Sequence, residues 1–136
     1  MRPSPRSILF DAQALTLLAQ KAQRVHAWTT YAESIYARLY ISSLTFAETT
    51  DGSARDANVR RAIKPLITRP VTDEIALRAG ALRASTTRRK PRNLTVDAVV
   101  AATALTLPSP VVVLTGDPDD LRLLLVDTHI MVEPVG

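Results

Sequence analysis

Four acids stand where this chain can bring them together. Asp11 follows Ile8-Leu9-Phe10 directly, and Glu48 closes Ser43-Leu44-Thr45-Phe46-Ala47-Glu48. Asp97 opens an apolar helical segment, and Asp117 comes just after Val111-Val112-Val113-Leu114 and two further residues. In an open parallel sheet, ligands bind beyond the carboxyl ends of the strands, so acids at those ends converge although they lie far apart in sequence. Converged carboxylates repel one another until a cation neutralises them. Hard divalent ions such as Mg²⁺ take oxygen ligands, commonly one or two carboxylates with water and substrate phosphate completing the shell. The chemistry to which this set points is metal-assisted cleavage of a phosphate ester.

Each acid also has a plainer role open to it. Asp11 lies between a strand and a helix, where a carboxylate serves equally as an N-cap. Asp97, in the first turn of its helix, complements the helix dipole. Asp117-Pro118-Asp119-Asp120 reads as a helix start, with a capping acid, Pro at the first helical position and acids in the first turn. Glu48 on its own would face water. Thr115 either orients a carboxylate or bound water, or simply finishes a strand. Asp51, Asp56, Asp73, Glu74, Asp119, Asp127 and Glu133 occupy positions that demand no convergence.

The elements that must position these side chains alternate between strand-like and helix-period segments, which predicts an α/β fold, a three-layer α/β/α sandwich with a mostly parallel central sheet. Strands are expected at 7–10, 39–43, 111–114 and, as an edge, 130–132. One helix carries Leu15, Leu18, Ala19 and Ala22, and a second carries Trp28, Tyr31, Ala32, Ile35 and Leu39 on one side. A short helix holds Glu48, and another is expected over 57–66 until Pro65 and Pro70 interrupt it. Thr72 or Asp73 caps a helix with Ile75, Ala76, Ala79 and Leu82 as its apolar face. The segment from Thr95 is so rich in small and branched side chains that it is expected to be buried on most sides, and Pro108 stops it. A last helix is expected from Leu121. The three aromatics Trp28, Tyr31 and Tyr36 are expected in the core, with a groove for a partner peptide as the alternative.

At 136 residues, the chain is expected to form one domain spanning 1–136. With no cysteine and only His26 and His129, thiolate nucleophiles and zinc sites built on Cys or several His are excluded, so any metal rests mainly on carboxylates. No apolar stretch approaches a membrane span, and the basic start is followed by too short an apolar run for a signal peptide, so a cytoplasmic protein is expected. The net charge of +4 beside an acid-lined site fits a basic surface that faces a polyanion. Fourteen Arg against three Lys suit phosphate recognition through the planar guanidinium, although high genomic GC content produces the same bias. Arg88, Arg89, Lys90 and Arg92 precede Asp97 and either guide an RNA backbone toward the acids or form a solvated loop.

The order Ile8-Leu9-Phe10-Asp11, Ser43 to Glu48, Thr95-Val96-Asp97-Ala98-Val99-Val100-Ala101-Ala102 and Val112-Val113-Leu114-Thr115-Gly116-Asp117-Pro118-Asp119-Asp120-Leu121 resembles the PIN-domain nucleases, specifically the VapC-like toxins of toxin–antitoxin pairs. The resemblance spans nearly the whole chain and rests on order and spacing together. It implies that Asp11, Glu48, Asp97 and Asp117 form the family's acidic quartet and that Asp120 matches a further acid. It also implies Mg²⁺ or Mn²⁺ as cofactor, RNA as substrate, a small antitoxin as partner and a homodimer. The chain departs from the pattern at Gln13, where a small or hydroxyl residue is common.

The reading is an RNA phosphodiesterase in which Asp11, Asp97 and Asp117 hold metal directly or through water and Glu48 positions or deprotonates a water. A receiver-like phosphoacceptor would need an acid pair after the first strand and a late lysine, and has neither. The rival from another class is a noncatalytic domain that binds nucleic acid or a partner and uses its acids as caps.

Overall fold

The computed structural model describes residues 3–86 and 93–136, so the basic run Arg88 to Arg92 lies outside the described residues. The elements follow in the order β1 (Ser7–Phe10), α1 (Ala12–Ala19), α2 (Gln23–Ser34), β2 (Arg38–Ser42), α3 (Ser43–Thr49) and α4 (Asp56–Ala62). Then come β3 (Ile67–Arg69), α5 (Asp73–Thr86), α6 (Thr95–Ala104), β4 (Val111–Thr115), α7 (Pro118–Leu124) and β5 (Met131–Pro134). The five strands form one sheet in the order β3-β2-β1-β4-β5, and every pairing is parallel.

The central strands are unbroken apolar runs because helices cover both faces. Every residue of β1 and of β4 is buried. Alternate side chains serve opposite layers: Leu9, Tyr40 and Val113 pack with α5, α6 and α7 through Ile75, Ala98 and Leu121. Phe10, Ile41 and Leu114 pack on the other side with Leu15, Val25 and Val59 of α1, α2 and α4. The expected three-layer α/β/α sandwich is what forms. Helix α6 is buried from Ala98 through Ala104, as its run of small and branched residues predicts.

The chain builds β2 and β3 outward on one side of β1, then returns to build β4 and β5 on the other. The strand order therefore reverses between β1 and β4, and the crevice beyond their carboxyl ends is the place where such sheets bind ligands. Phe10 pairs across to Leu114, which sets Asp11 beside Thr115 at the head of that crevice.

Several local expectations are corrected. Helix α2 ends at Ser34, and Tyr36 takes a left-handed backbone (φ 59°), so Leu39 belongs to β2 rather than to a helix face. Trp28 is half-buried, but Tyr31 is 41% and Tyr36 93% exposed, so the aromatics are not core as a group. Helix α4 stops at Ala62, and 67–69 is a strand the sequence did not announce. It is a three-residue edge strand, all exposed, so it carries neither alternation nor an apolar run. Ala76 faces solvent, whereas Ile75 and Ala79 anchor α5. No helix among the described residues is long and apolar enough to cross a membrane.

Candidate active site

Asp11 terminates β1 and starts α1. Its carboxylate accepts a hydrogen bond from the Ala14 N–H at 2.8 Å, capping the helix, and the residue is only 8% exposed. Capping and convergence thus coexist at this position. Asp117 occupies the corresponding place before α7, with Pro118 at the first helical position, but its side chain makes no capping bond. Its backbone N–H instead donates to Thr115 Oγ1 at 3.1 Å, and that hydroxyl lies 3.2 Å from the Asp117 carbonyl.

Helix α3, capped by Ser42 Oγ through the Leu44 N–H, brings Glu48 to the rim of the crevice. Helix α6 starts beside Asn93, whose side chain accepts from the Thr95 N–H at 3.0 Å, and places half-buried Asp97 in its first turn. Asp11, Glu48, Asp97 and Asp117 line one cavity of about 200 Å³ together with Thr115 and Asp120. Four acids up to 106 residues apart in sequence thus line one cavity. Asp120, 4% exposed, is a fifth acid of this cavity and more than a helix-start charge. Its signal was present in the sequence, since it stands three residues after Asp117 and so on the same helical face.

The electrostatics agree with the geometry. Burial pushes the Asp11 carboxyl above the ordinary aspartate range, with the Asp117 charge adding to it. Hydrogen bonding from Thr115 and from the backbone of Ala14 and Gln13 opposes that rise. Burial also raises Glu48, and the charges of Asp97 and Asp11 raise it further. Glu48 therefore senses acids from two other elements, which makes the four carboxylates one electrostatic unit.

The donors of the cavity are carboxylates, the Thr115 hydroxyl and the Gln13 amide, with no sulfur or imidazole among them. It suits a hard divalent ion and offers nothing to a thiophilic one. Among the described residues, no three Asp, Glu or His side chains are spaced so that together they could hold a metal ion. Mg²⁺ retains several waters and takes one or two carboxylates, so a cage of three protein carboxylates is not what it requires.

Two neighbouring acids have structural work instead. Asp56, buried, accepts from the N–H groups of Asp51 and Gly52 and closes the turn before α4. Ser53 holds the exposed Asp51 carboxyl below its ordinary range. Both fall outside the cavity, as expected. Residues that sequence reasoning did not place in the wall are Ala12, Gln13 and Val100. Gln13 packs so closely on Gly116 that a Cβ there would stand 2.6 Å from its Oε1 and 3.0 Å from its Cβ and Cδ.

No protein-family model and no curated protein matches the chain. Solved structures do. A VapBC2 from Rickettsia felis, bound to a DNA fragment from its promoter, aligns with a TM-score of 0.73 at 9% identity, over 96% of this chain and 99% of the other. A DNA-bound VapBC from Salmonella typhimurium aligns with a TM-score of 0.69 at 20% identity, over 96% and 98%. The protein has a VapC-like PIN fold. A toxin–antitoxin complex from Klebsiella pneumoniae gives 0.64 at 21% identity, over 91% and 95%. The PIN fold explains why the acids meet: its strand order reverses where Asp11 and Asp117 emerge. The resemblance drawn from the acid order is thereby borne out at the level of fold.

Proposed function

We propose that the protein is a divalent-metal-dependent endoribonuclease and the toxin of a toxin–antitoxin pair. The observation that carries the nuclease reading is the meeting of Asp11, Glu48, Asp97 and Asp117 in one cavity at the switch point of the sheet. Asp11, Asp97 and Asp117 are the residues that would hold Mg²⁺ or Mn²⁺, directly or through water. When bound, the ion lowers the pKa of the attacking water and offsets charge on the phosphate. Asp11, locked by the Ala14 N–H, supplies a carboxylate of fixed direction. Asp117, free of a capping bond, can adjust to ligand and phosphate. Glu48, at the rim and with its carboxyl raised, is placed to orient a water and accept its proton. The noncatalytic alternative, in which the acids are caps, has no capping role for the side chain of Asp117.

RNA as substrate follows from the resemblance and is supported by the net charge of +4. The similar structures are complexes of VapB with VapC or of toxin with antitoxin, which supports a small antitoxin as partner here. We place its apolar segment on the early helices, where Trp28 and Tyr31 meet edge to face at 5.8 Å with Tyr31 exposed. A basic side chain of the antitoxin would reach the acids in competition with the metal. A cytoplasmic homodimer belongs to the same reading.

The test is RNA cleavage by purified protein with Mg²⁺ or Mn²⁺ and its arrest by EDTA, repeated with Asp11→Asn. Equal cleavage by both proteins sinks the nuclease assignment. For the partner, co-purification with the product of the adjacent reading frame should yield a complex whose formation suppresses cleavage. A neighbouring product that neither binds nor inhibits removes the toxin reading and leaves the nuclease one standing.

A further inference from the structure

We propose that the groove adjoining the acid cavity is a nucleobase subsite in which Gln13 selects the base beside the scissile phosphate, with adenine favoured; this rests on the ribonuclease reading above. The groove, an open depression of about 490 Å³, shares Ala12, Gln13 and Glu48 with the acid cavity, so a chain whose phosphate sits over the acids has its next nucleoside there. Among the described residues that line it, Glu48 is the only one with a charged side chain. Arg24 donates to the Gly136 carbonyl of this wall at 3.2 Å, but no lining side chain is itself a cation, and such a lining suits a neutral base better than a phosphate.

The chemistry of the wall narrows the base. Leu17 and Ala12 give an apolar surface for a base face. Thr16 Oγ1 donates to the Ala12 carbonyl at 3.0 Å and Thr49 Oγ1 to the Thr45 carbonyl at 2.9 Å. Their hydroxyl protons are thus occupied within the helices, and toward the groove they present acceptors. Gln13 is the lining side chain that also brings N–H donors, alongside its carbonyl. An acceptor-rich wall with one amide complements a base that has an exocyclic amino group next to a ring acceptor. Gln pairs with adenine in this bidentate manner through N6 and N7, whereas uracil has no amino group to offer.

Gly116 leaves room for the Gln13 side chain where it stands. It is not in the left-handed region, so its backbone does not demand glycine. A Cβ there would stand 2.6 Å from the Gln13 Oε1, so the Gln13 side chain would have to shift. The glycine therefore serves the position of this one amide at the junction of groove and acids.

The experiment uses the full chain and two short RNAs that differ only in carrying adenosine or uridine beside one cleavable step. Cleavage with Mg²⁺ gives kcat/KM for each, and fluorescence anisotropy with the Asp11→Asn protein gives affinity. The expected result is a preference of about ten-fold for adenosine in wild type, within the range for one bidentate base contact. That ratio should fall close to one in Gln13→Ala and also in Gly116→Ala, which dislodges Gln13 without removing it. A wild-type ratio of one, or a Gln13→Ala ratio equal to wild type, overturns the subsite. If Gln13→Ala keeps the ratio and instead weakens inhibition by the product of the adjacent reading frame, the groove holds the inhibitor and the proposal also falls. Adenosine-selective binding lost in Gln13→Ala, without cleavage of either RNA in Mg²⁺ or Mn²⁺, upholds the subsite and removes the nuclease reading. Cleavage of both RNAs at equal rates does the reverse.

Discussion

The two corners β1–α1 and β4–α7 are built alike and behave differently. Each joins a fully buried strand to a helix through an aspartate at the N-cap position, Asp11 in one and Asp117 in the other. At the first corner, the carboxylate caps the helix and is almost wholly buried, at the cost of a raised pKa. At the second, Gly116 and Pro118 flank the acid, Thr115 takes the Asp117 N–H, and the exposed carboxylate is left out of the cap. The difference teaches that helix capping and site formation are separable duties of one residue type. The corner that does both supplies a rigid ligand direction, and the corner that does one supplies an adjustable one.

The largest expected effect treats the corners as equivalent. Asp11→Asn and Asp117→Asn should each lower metal-dependent RNA cleavage by about two orders of magnitude or more, with circular dichroism unchanged. Near-wild-type activity in Asp117→Asn alongside loss in Asp11→Asn would break the equivalence and confine the chemistry to the first corner.

Stability should separate them. Asp11→Ala removes a cap and is expected to cost about 1 kcal/mol in urea unfolding, whereas Asn at the same position preserves the cap. Asp117→Ala removes no capping bond and should stay within about 0.5 kcal/mol of wild type. Equal losses at the two positions would show that Asp117 supports its helix after all.

The pH dependence sharpens the same contrast. The folded-state pKa of Asp11 lies above its ordinary value of 3.8. The folded protein thus binds that proton more tightly than the unfolded chain does. Its stabilising contribution is complete below roughly pH 4 and is lost as pH rises through the raised value. In EDTA at pH 7, Asp11→Asn should therefore be more stable than wild type, and the gap should close on acidification below roughly pH 4. Glu48→Gln should behave in the same direction, because its carboxyl is also raised from 4.5. A gap that widens on acidification would reverse the assigned sign.

The smallest effect should come from the metal itself. Millimolar Mg²⁺ should raise the thermal midpoint of wild type more than that of Asp11→Asn, since a ligand bound only by the folded state stabilises in proportion to its saturation. Equal shifts in the two proteins would mean that Asp11 does not help hold the ion.

The alternation of apolar runs and helical periods determined the layer architecture without help from tertiary detail, because an interior parallel strand must be apolar on both faces and Ile8–Phe10 and Val111–Leu114 are. The strand ends likewise determined that Asp11 and Asp117 meet, since a strand end in such a sheet leaves them little choice of direction, whereas Glu48 and Asp97 reach them only through the placement of α3 and α6. Local spacing could not reveal β3, whose exposed Ile67–Arg69 is held by pairing with β2 rather than by burial. Nor could it reveal that Tyr36 leaves the helix for a left-handed turn. Only the tertiary structure decided that Asp117 is free of capping while Asp11 is not, and that Gly116 makes room for Gln13. Those outcomes depend on what packs against each corner from elsewhere in the chain. Residue type and spacing name the groups that meet; the distances between noncontiguous elements determine what each does there.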